Sequence, residues 1–170
     1  MTIEIRAETA ADRQAIQSLN RAAFETDAEA RLVDALRDGG FVEVSLVAEQ
    51  AGMIIGHILF SQLPIMTSVG TVDTVSLAPM AVQPSHQRQG VGSRLVEAGL
   101  KICREQQHKI AVVLGHPEFY PRFGFSARLA QPLESPYGSG DTWMAMELVP
   151  DSLAGVVGRV EYPPPFRALE

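Results

Sequence analysis

The sequence predicts an α/β chain of the α+β type, a single domain built on one mixed sheet of about six or seven strands flanked by helices. Three observations carry that prediction. Two helical patterns occupy the N-terminal quarter, three period-two runs follow one another between residues 42 and 82, and a strand, glycine loop, helix and strand fill 74–114. Neighbouring runs joined by short turns pair antiparallel, whereas a strand that returns through a helix pairs parallel, so both kinds of pairing are expected in one sheet.

The first element is a strand over residues 2–6, where Ile3 and Ile5 alternate with polar residues. Thr9-Ala10-Ala11-Asp12 resembles a capping box, and Ile16, Leu19 and Ala23 then mark one face of a helix. Phe24 ends that segment near a second start signal, Thr26-Asp27-Ala28-Glu29. The second helix turns Leu32, Val33 and Leu36 inward and stops at Asp38-Gly39-Gly40. From Val42 the period becomes two. Val42, Val44, Leu46 and Ala48 share one face and Glu43, Ser45 and Glu49 the other, which reads as a half-buried strand.

Gln50-Ala51-Gly52 turns that strand into an apolar run from Met53 to Phe60, so the two form a hairpin. A third run spans Thr74 to Val82, with residues 61–73 read as the loop before it. Pro79 cannot donate to a ladder and predicts a local distortion. Val91, Leu95, Ala98, Gly99 and Ile102 define an amphipathic helix to about residue 107. Ile110 to Leu114 is uniformly apolar, as in a strand covered on both faces. Residues 116–125 form a short helix or turn leading to another strand, 132–140 a loop, and Thr142 to Leu148 the last strand. Residues 151–170, with Pro163-Pro164-Pro165, read as a tail packing on the domain or on a partner subunit.

Composition narrows the function. The chain has 170 residues, 46% of them hydrophobic, enough for one continuous core. A formal charge of −6 argues against a general nucleic-acid surface, which needs a basic stripe. No apolar run is long enough to cross a membrane as a helix, and Met1 to Arg6 holds neither a basic leader nor a hydrophobic signal core, so the expected location is cytoplasmic. The single cysteine, Cys103, allows no internal disulfide and no cysteine-based zinc site; no metal is expected. Beside Ile102 in a helix, it reads as core.

The most informative stretch is Gln87-Arg88-Gln89-Gly90-Val91-Gly92 with Ser93, between a strand and an amphipathic helix. Glycines leave main-chain N–H groups open to an anion, and the helix start adds orphan donors and the positive end of its dipole. A diphosphate is the natural guest. The dinucleotide fingerprint fails, because Leu95 stands where a third glycine or alanine belongs, and the Walker loop fails, because Gly92 is followed by Ser93-Arg94.

Gln87-x-x-Gly90-x-Gly92 resembles the acetyl-coenzyme A motif of the GNAT superfamily of N-acetyltransferases, and Val82-x-Pro84 and Phe119-Tyr120-x-x-x-Gly124-Phe125 extend the resemblance. It implies an N-acetyltransferase domain over residues 1–150 whose fourth and fifth strands splay apart around the pantetheine arm. Met80, Ala81 and Val82 would offer main-chain contacts, Gln87, Arg88, Gln89, Gly90, Val91, Gly92 and Ser93 would surround the pyrophosphate, and a backbone N–H near Met80 would polarise the acetyl oxygen. Tyr120 would protonate the departing thiolate, as the catalytic acid. The helices of 9–38 and the loops near 61–73 and 132–141 would wall the acceptor site.

The implied reaction is transfer of an acetyl group from acetyl-CoA to a primary amine, on a small molecule. A non-catalytic acyl-CoA sensor and an acetyltransferase for protein amines stay open, as does a homodimer. For the general base, Glu25, Glu29, His57, Asp73, His116 and Glu118 are candidates, each with a stronger structural reading; His57 reads as a core histidine and Glu29 as a helix cap.

Overall fold

The structure is a computed structural model that describes residues 2–170. Chain order gives β1 (Ile3–Ala7), α1 (Arg13–Phe24), α2 (Ala28–Asp38), β2 (Val42–Gln50), β3 (Met53–Thr67) and β4 (Gly70–Val82). There follow α3 (Val91–Glu105), β5 (Ile110–Leu114), α4 (Ala127–Ala130), β6 (Leu133–Glu134), β7 (Trp143–Glu147) and β8 (Gly158–Val160). The sheet order is β1-β2-β3-β4-β5-β7, with β8 pairing to β3 and to the two-residue β6. It is mixed, as expected.

By contact the chain forms two compact units. The first takes the described residues up to Phe60, with Pro79–Gly99 and Pro164–Glu170. In it β1 lies antiparallel to β2, from Ile3↔Gln50 to Ala7↔Leu46. The β2–β3 turn places Ala51 (φ 51°) and Gly52 (φ 78°) both in the left-handed region, the geometry whose twist matches paired strands. Thr9 and Asp12 form a capping box on the 3-10 turn Ala10–Asp12 that leads into α1, the Thr9 amide donating to Asp12 Oδ2 at 2.7 Å; ahead of α2, Thr26 Oγ1 donates to Glu29 Oε2 at 3.0 Å, a bond between side chains. α1 buries Ile16 and Leu19, and α2 buries Leu32, Val33 and Leu36.

Two glycines bring α3 close to β3. A Cβ on Gly56 would stand 2.9 Å from both Leu95 Cδ1 and Val91 Cγ1, and one on Gly99 would stand 3.0 Å from Phe60 Cζ and nearer still to Cε1. No real carbon contact is that short, so only hydrogen fits at either place. The helix start carrying Val91, Gly92 and Ser93 is thereby pinned against a fully buried part of β3.

The second unit takes Ser61–Ala78 and Leu100–Pro163. Here β4 and β5 run parallel with the register Val75↔Ala111 and Ser76↔Val112, and β5 lies antiparallel to β7 from Ile110↔Glu147 to Leu114↔Trp143. Ile110, Ala111, Val112 and Val113 are all buried, as their uniformly apolar run predicted, whereas Leu114 at the strand end is exposed. Leu63, Ile65, Val112, Trp143 and Val160 belong to one apolar cluster. Its polar atoms are satisfied at the points that matter: Trp143 Nε1 donates to Leu133 O at 2.8 Å and Thr74 Oγ1 to Ile110 O at 2.8 Å.

Four readings need correction. Residues 61–73 are not a loop: β3 runs to Thr67 and β4 starts at Gly70, because β8 pairs with β3 through Ile65↔Val160, Met66↔Arg159 and Thr67↔Gly158. Pro64 stands where the pairing with β8 stops: its carbonyl accepts from Glu161 N at 3.0 Å, but it has no N–H to return the bond, and the β8 register starts at Ile65. After Phe125 the chain forms the short α4, with only a bridge at Ser126↔Ala145 where a strand was expected. β2 is covered on both faces over Leu46, Val47 and Ala48, and residues 132–140 include the paired β6.

Gly99→Val should lower stability by about 1–3 kcal/mol by forcing the Phe60 ring out of its place. The check is urea unfolding: a lower midpoint at unchanged slope is expected, and an unchanged midpoint would show that Phe60 has room to move.

Candidate active site

β4 ends at Val82, and the Gln83 amide then donates to Ile55 O at 2.8 Å, fixing where the chain leaves the sheet. Pro84 starts a 3-10 turn through His86. The glutamine side chains stitch the loop that follows: Gln87 Nε2 donates to Val82 O at 3.1 Å and Gln89 Nε2 to Ser85 O at 3.4 Å. Arg88 (φ 63°) and Gly90 (φ 86°) are left-handed, which reverses the chain into α3. A Cβ at Gly90 would meet nothing within 4 Å, so what glycine supplies there is backbone geometry and open space.

The first helical bond runs from Arg94 N to Gly90 O at 3.1 Å. The amides of Val91, Gly92 and Ser93 precede it and have no helical acceptor. Gln87 differs: its amide donates to Pro84 O at 3.4 Å. No Asp or Glu occurs from 74 through 96, while Arg88 and Arg94 do, so the loop is locally basic in an acidic chain. Arg94 is held by Ile3 O at 2.9 Å, and Arg88 is exposed. Donors, helix dipole and guanidinium together fit an anion such as a diphosphate. On β4, Ala81 is buried and Met80 and Val82 are half-buried.

In the second unit, β5 leads through Gly115, whose amide donates to Thr142 O at 2.9 Å, into the turn that carries Tyr120. Phe119 N and Tyr120 N both reach His116 O, at 3.1 and 3.3 Å, and Tyr120–Phe123 is a 3-10 helix closed by Gly124 at φ 109°. Tyr120 is 7% exposed. Its ring meets Phe119 and Phe125 edge-on, with centroids 5.0 and 5.8 Å away. Burial pushes its phenol up to about 12, so it holds its proton at neutral pH.

The candidate bases fall apart as a group. Glu29 caps no backbone N–H of α2 but accepts from Thr26 Oγ1, Glu25 is the left-handed residue ending α1, and Asp73, His116 and Glu118 are exposed. His57 is fully buried in a network that sequence reading did not find. The Ser45 hydroxyl donates to Glu8, and His57 Nε2 lies 2.9 Å from Ser45 Oγ and 3.9 Å from Glu8 Oε1. Ser45 has one proton and gives it to the carboxylate, so His57 donates from Nε2 and its Nδ1 is left without a partner. This is no hydrolytic triad, since the carboxylate bonds the hydroxyl and the far nitrogen of the imidazole has no carboxylate to orient it. Arg37 Nη2 completes it at 2.8 Å from Glu8 Oε2. Glu8, Arg37 and Ser45 line a cavity of about 460 Å³ with Arg13 and Val42. The one sequence signal was a histidine in an apolar strand.

Burial depresses His57 more than the nearby Glu8 raises it. Burial also opposes the charge on Glu8, but His57, Ser45 and Arg37 together hold its carboxyl down at about 2. A second cavity, of about 650 Å³, lies along α1 at Ala15, Ser18 and Ala22 and reaches Met53 and Gln83. Its charged wall is Arg6 bonded to Asp12 at 2.7 Å and to Glu49 at 2.8 Å. Among the described residues no cluster of three His, Cys, Asp or Glu could hold a metal, and no helix is long and apolar enough to cross a membrane.

Burial lowers His57 below its ordinary value, so the unfolded chain binds that proton more readily than the folded chain, and stability falls as pH drops below about 6.5, by at most ~1.4 kcal/mol per pH unit. Glu8 contributes above its ordinary value of 4.5 and loses that contribution as pH falls toward about 2. His57→Gln should flatten the limb between pH 6.5 and 5 and keep the lower one; an unchanged upper slope in urea titrations would assign it elsewhere.

The model of the acetyltransferase (GNAT) family matches residues 11–125. The chain is 38% identical over 160 residues to the uncharacterized N-acetyltransferase YhbS of Escherichia coli K12, covering 93% of this chain and 95% of that one. Among solved structures it is similar to Escherichia coli YhbS in complex with CoA, at 35% identity and a TM-score of 0.90, covering 97% of this chain and 92% of the other. It is also similar to a GNAT acetyltransferase of Brucella melitensis in complex with acetyl-CoA, at 30% identity and a TM-score of 0.82, covering 97% and 98%.

Proposed function

The chain belongs to the GNAT acetyltransferase family, and from that premise we propose that it moves the acetyl group of acetyl-CoA to a primary amine of a small molecule, by direct attack in a ternary complex. The observation that carries this reading is the set of main-chain amides at Val91, Gly92 and Ser93, free of helical acceptors beside Arg88 and the open space at Gly90. They receive the pyrophosphate, with the rest of Gln87–Ser93 around it. Acetyl-CoA supplies the electrophilic thioester. The parallel register ends at Ser76 and β4 runs on to Val82, which supports Met80, Ala81 and Val82 as main-chain partners for an extended amide chain.

The amine attacks as its neutral form, and the Met80 amide steadies the charge that develops on the acetyl oxygen. As the C–N bond forms, the C–S bond breaks and the nitrogen loses one proton, while the sulfur gains one. Tyr120 donates to that sulfur. With the phenol at about 12 and a free thiol near 8.5, its hydroxyl stabilises the departing thiolate by hydrogen bonding and passes on a proton only as it regains one. A cavity of ligand size along α1, reaching Gln83 just past Val82, supports α1 as a wall of the acceptor site. Residues 1–150 then carry the catalytic domain, and the last twenty residues pack on it, with β8 adding a strand to its sheet beside β3.

Thiol release with a panel of amines tests the reaction: turnover of a small amine is expected, and acetyl-CoA binding without turnover of any amine would make the chain a sensor. Gly90→Asp adds side chain and negative charge at a left-handed position and should weaken acetyl-CoA about tenfold or more by calorimetry. Unchanged affinity would remove the phosphate assignment. Tyr120→Phe should lower kcat by about 10²-fold with little change in cofactor affinity; equal losses in both would mark Tyr120 as packing.

A further inference from the structure

We infer that Gly115 is the positioning residue for Tyr120: its missing side chain is one wall of the slot that aims the phenol. The inference rests on Tyr120 being the donor to sulfur. A Cβ at Gly115 would stand 3.0 Å from Tyr120 Cδ2, 3.4 Å from Cζ, and closer still to Cε2. These are atoms of a rigid ring, so they cannot yield as the end of a flexible chain does. The backbone gives no other reason for glycine, because Gly115 is not among the left-handed residues. No left-handed φ bars alanine there, and the three atoms nearest an added Cβ all belong to the ring.

The other walls are equally fixed. Gly115 N is tied to Thr142 O at 2.9 Å, so the glycine cannot back away from the ring without breaking a link to the β7 end. Tyr120 N is tied to His116 O and Pro121 follows, so the ring cannot retreat by a backbone shift. Phe119 and Phe125 close two further sides, their ring planes at 81° and 82° to the phenol. Added bulk at 115 is therefore relieved by rotating the Tyr120 side chain, which swings its hydroxyl at the far end. A displacement of about 1 Å at a reacting group costs on the order of 10²-fold in rate.

Gly115→Ala should lower kcat about 10- to 100-fold, leave the affinity for acetyl-CoA within about twofold, and show a rotated Tyr120 ring in its crystal structure. In the background of Tyr120→Phe the same change should add nothing further to kcat, since no hydroxyl is left to misplace. Additive losses, or a ring that keeps its position, overturn the inference. Full turnover by Tyr120→Phe alone overturns the donor reading instead, and the ring position in Gly115→Ala then decides the slot by itself. If Gly115→Ala does not fold, Gly115→Ala with Tyr120→Leu removes the obstructing ring: recovery of folding supports the slot, and failure to recover assigns Gly115 another role.

Discussion

Three amides at the start of α3 have no carbonyl to reach along their own helix, and the packing beneath them prevents the helix from moving to find one. Gly56 and Gly99 let α3 approach β3 so closely that Val91 and Leu95 of the helix lie against Gly56 of the strand, and Phe60 of the strand lies against Gly99 further along the helix. The left-handed residues Arg88 and Gly90 then turn the preceding loop away from the donors instead of folding it over them. An open, oriented, locally basic helix start is thus a product of core packing as much as of loop sequence. Its preorganisation is what an anionic ligand receives in place of water.

The same economy of space recurs around Tyr120. The ring is confined by a glycine on one edge and by two phenylalanines meeting it edge-on, and that confinement is also what dehydrates the phenol and strengthens its hold on its proton. Position and acidity follow from a single act of packing. The Glu8–Ser45–His57–Arg37 network shows the opposite use of burial: there a half-buried carboxylate stays charged beside Ser45, Arg37 and His57, while burial works against charge on the imidazole.

What could be seen in the sequence was local. The β5 run, the two N-terminal helices, the hairpin at Ala51-Gly52 and the glycine loop each have a signal confined to about ten residues, and each lies where the pattern put it. The true length of β3 was not visible, because the strand that pairs with Ile65–Thr67 comes from Gly158–Val160, far along the chain. Pro64 made a loop the natural reading of a segment whose partner was unknown. Glu8, Ser45 and His57 likewise come from three separate segments, and no single stretch carries their association. Gly115 looked like the punctuation after a strand; only the ring lying against it shows what the missing methyl is for.

β8 caps an edge. Without its three residues, Ile65, Met66 and Thr67 would present bare donors and acceptors along the end of β3, beside the exposed Val69 at the tip of the next turn. Such a rim is a template for an added strand, and β8 fills that template from within the same chain.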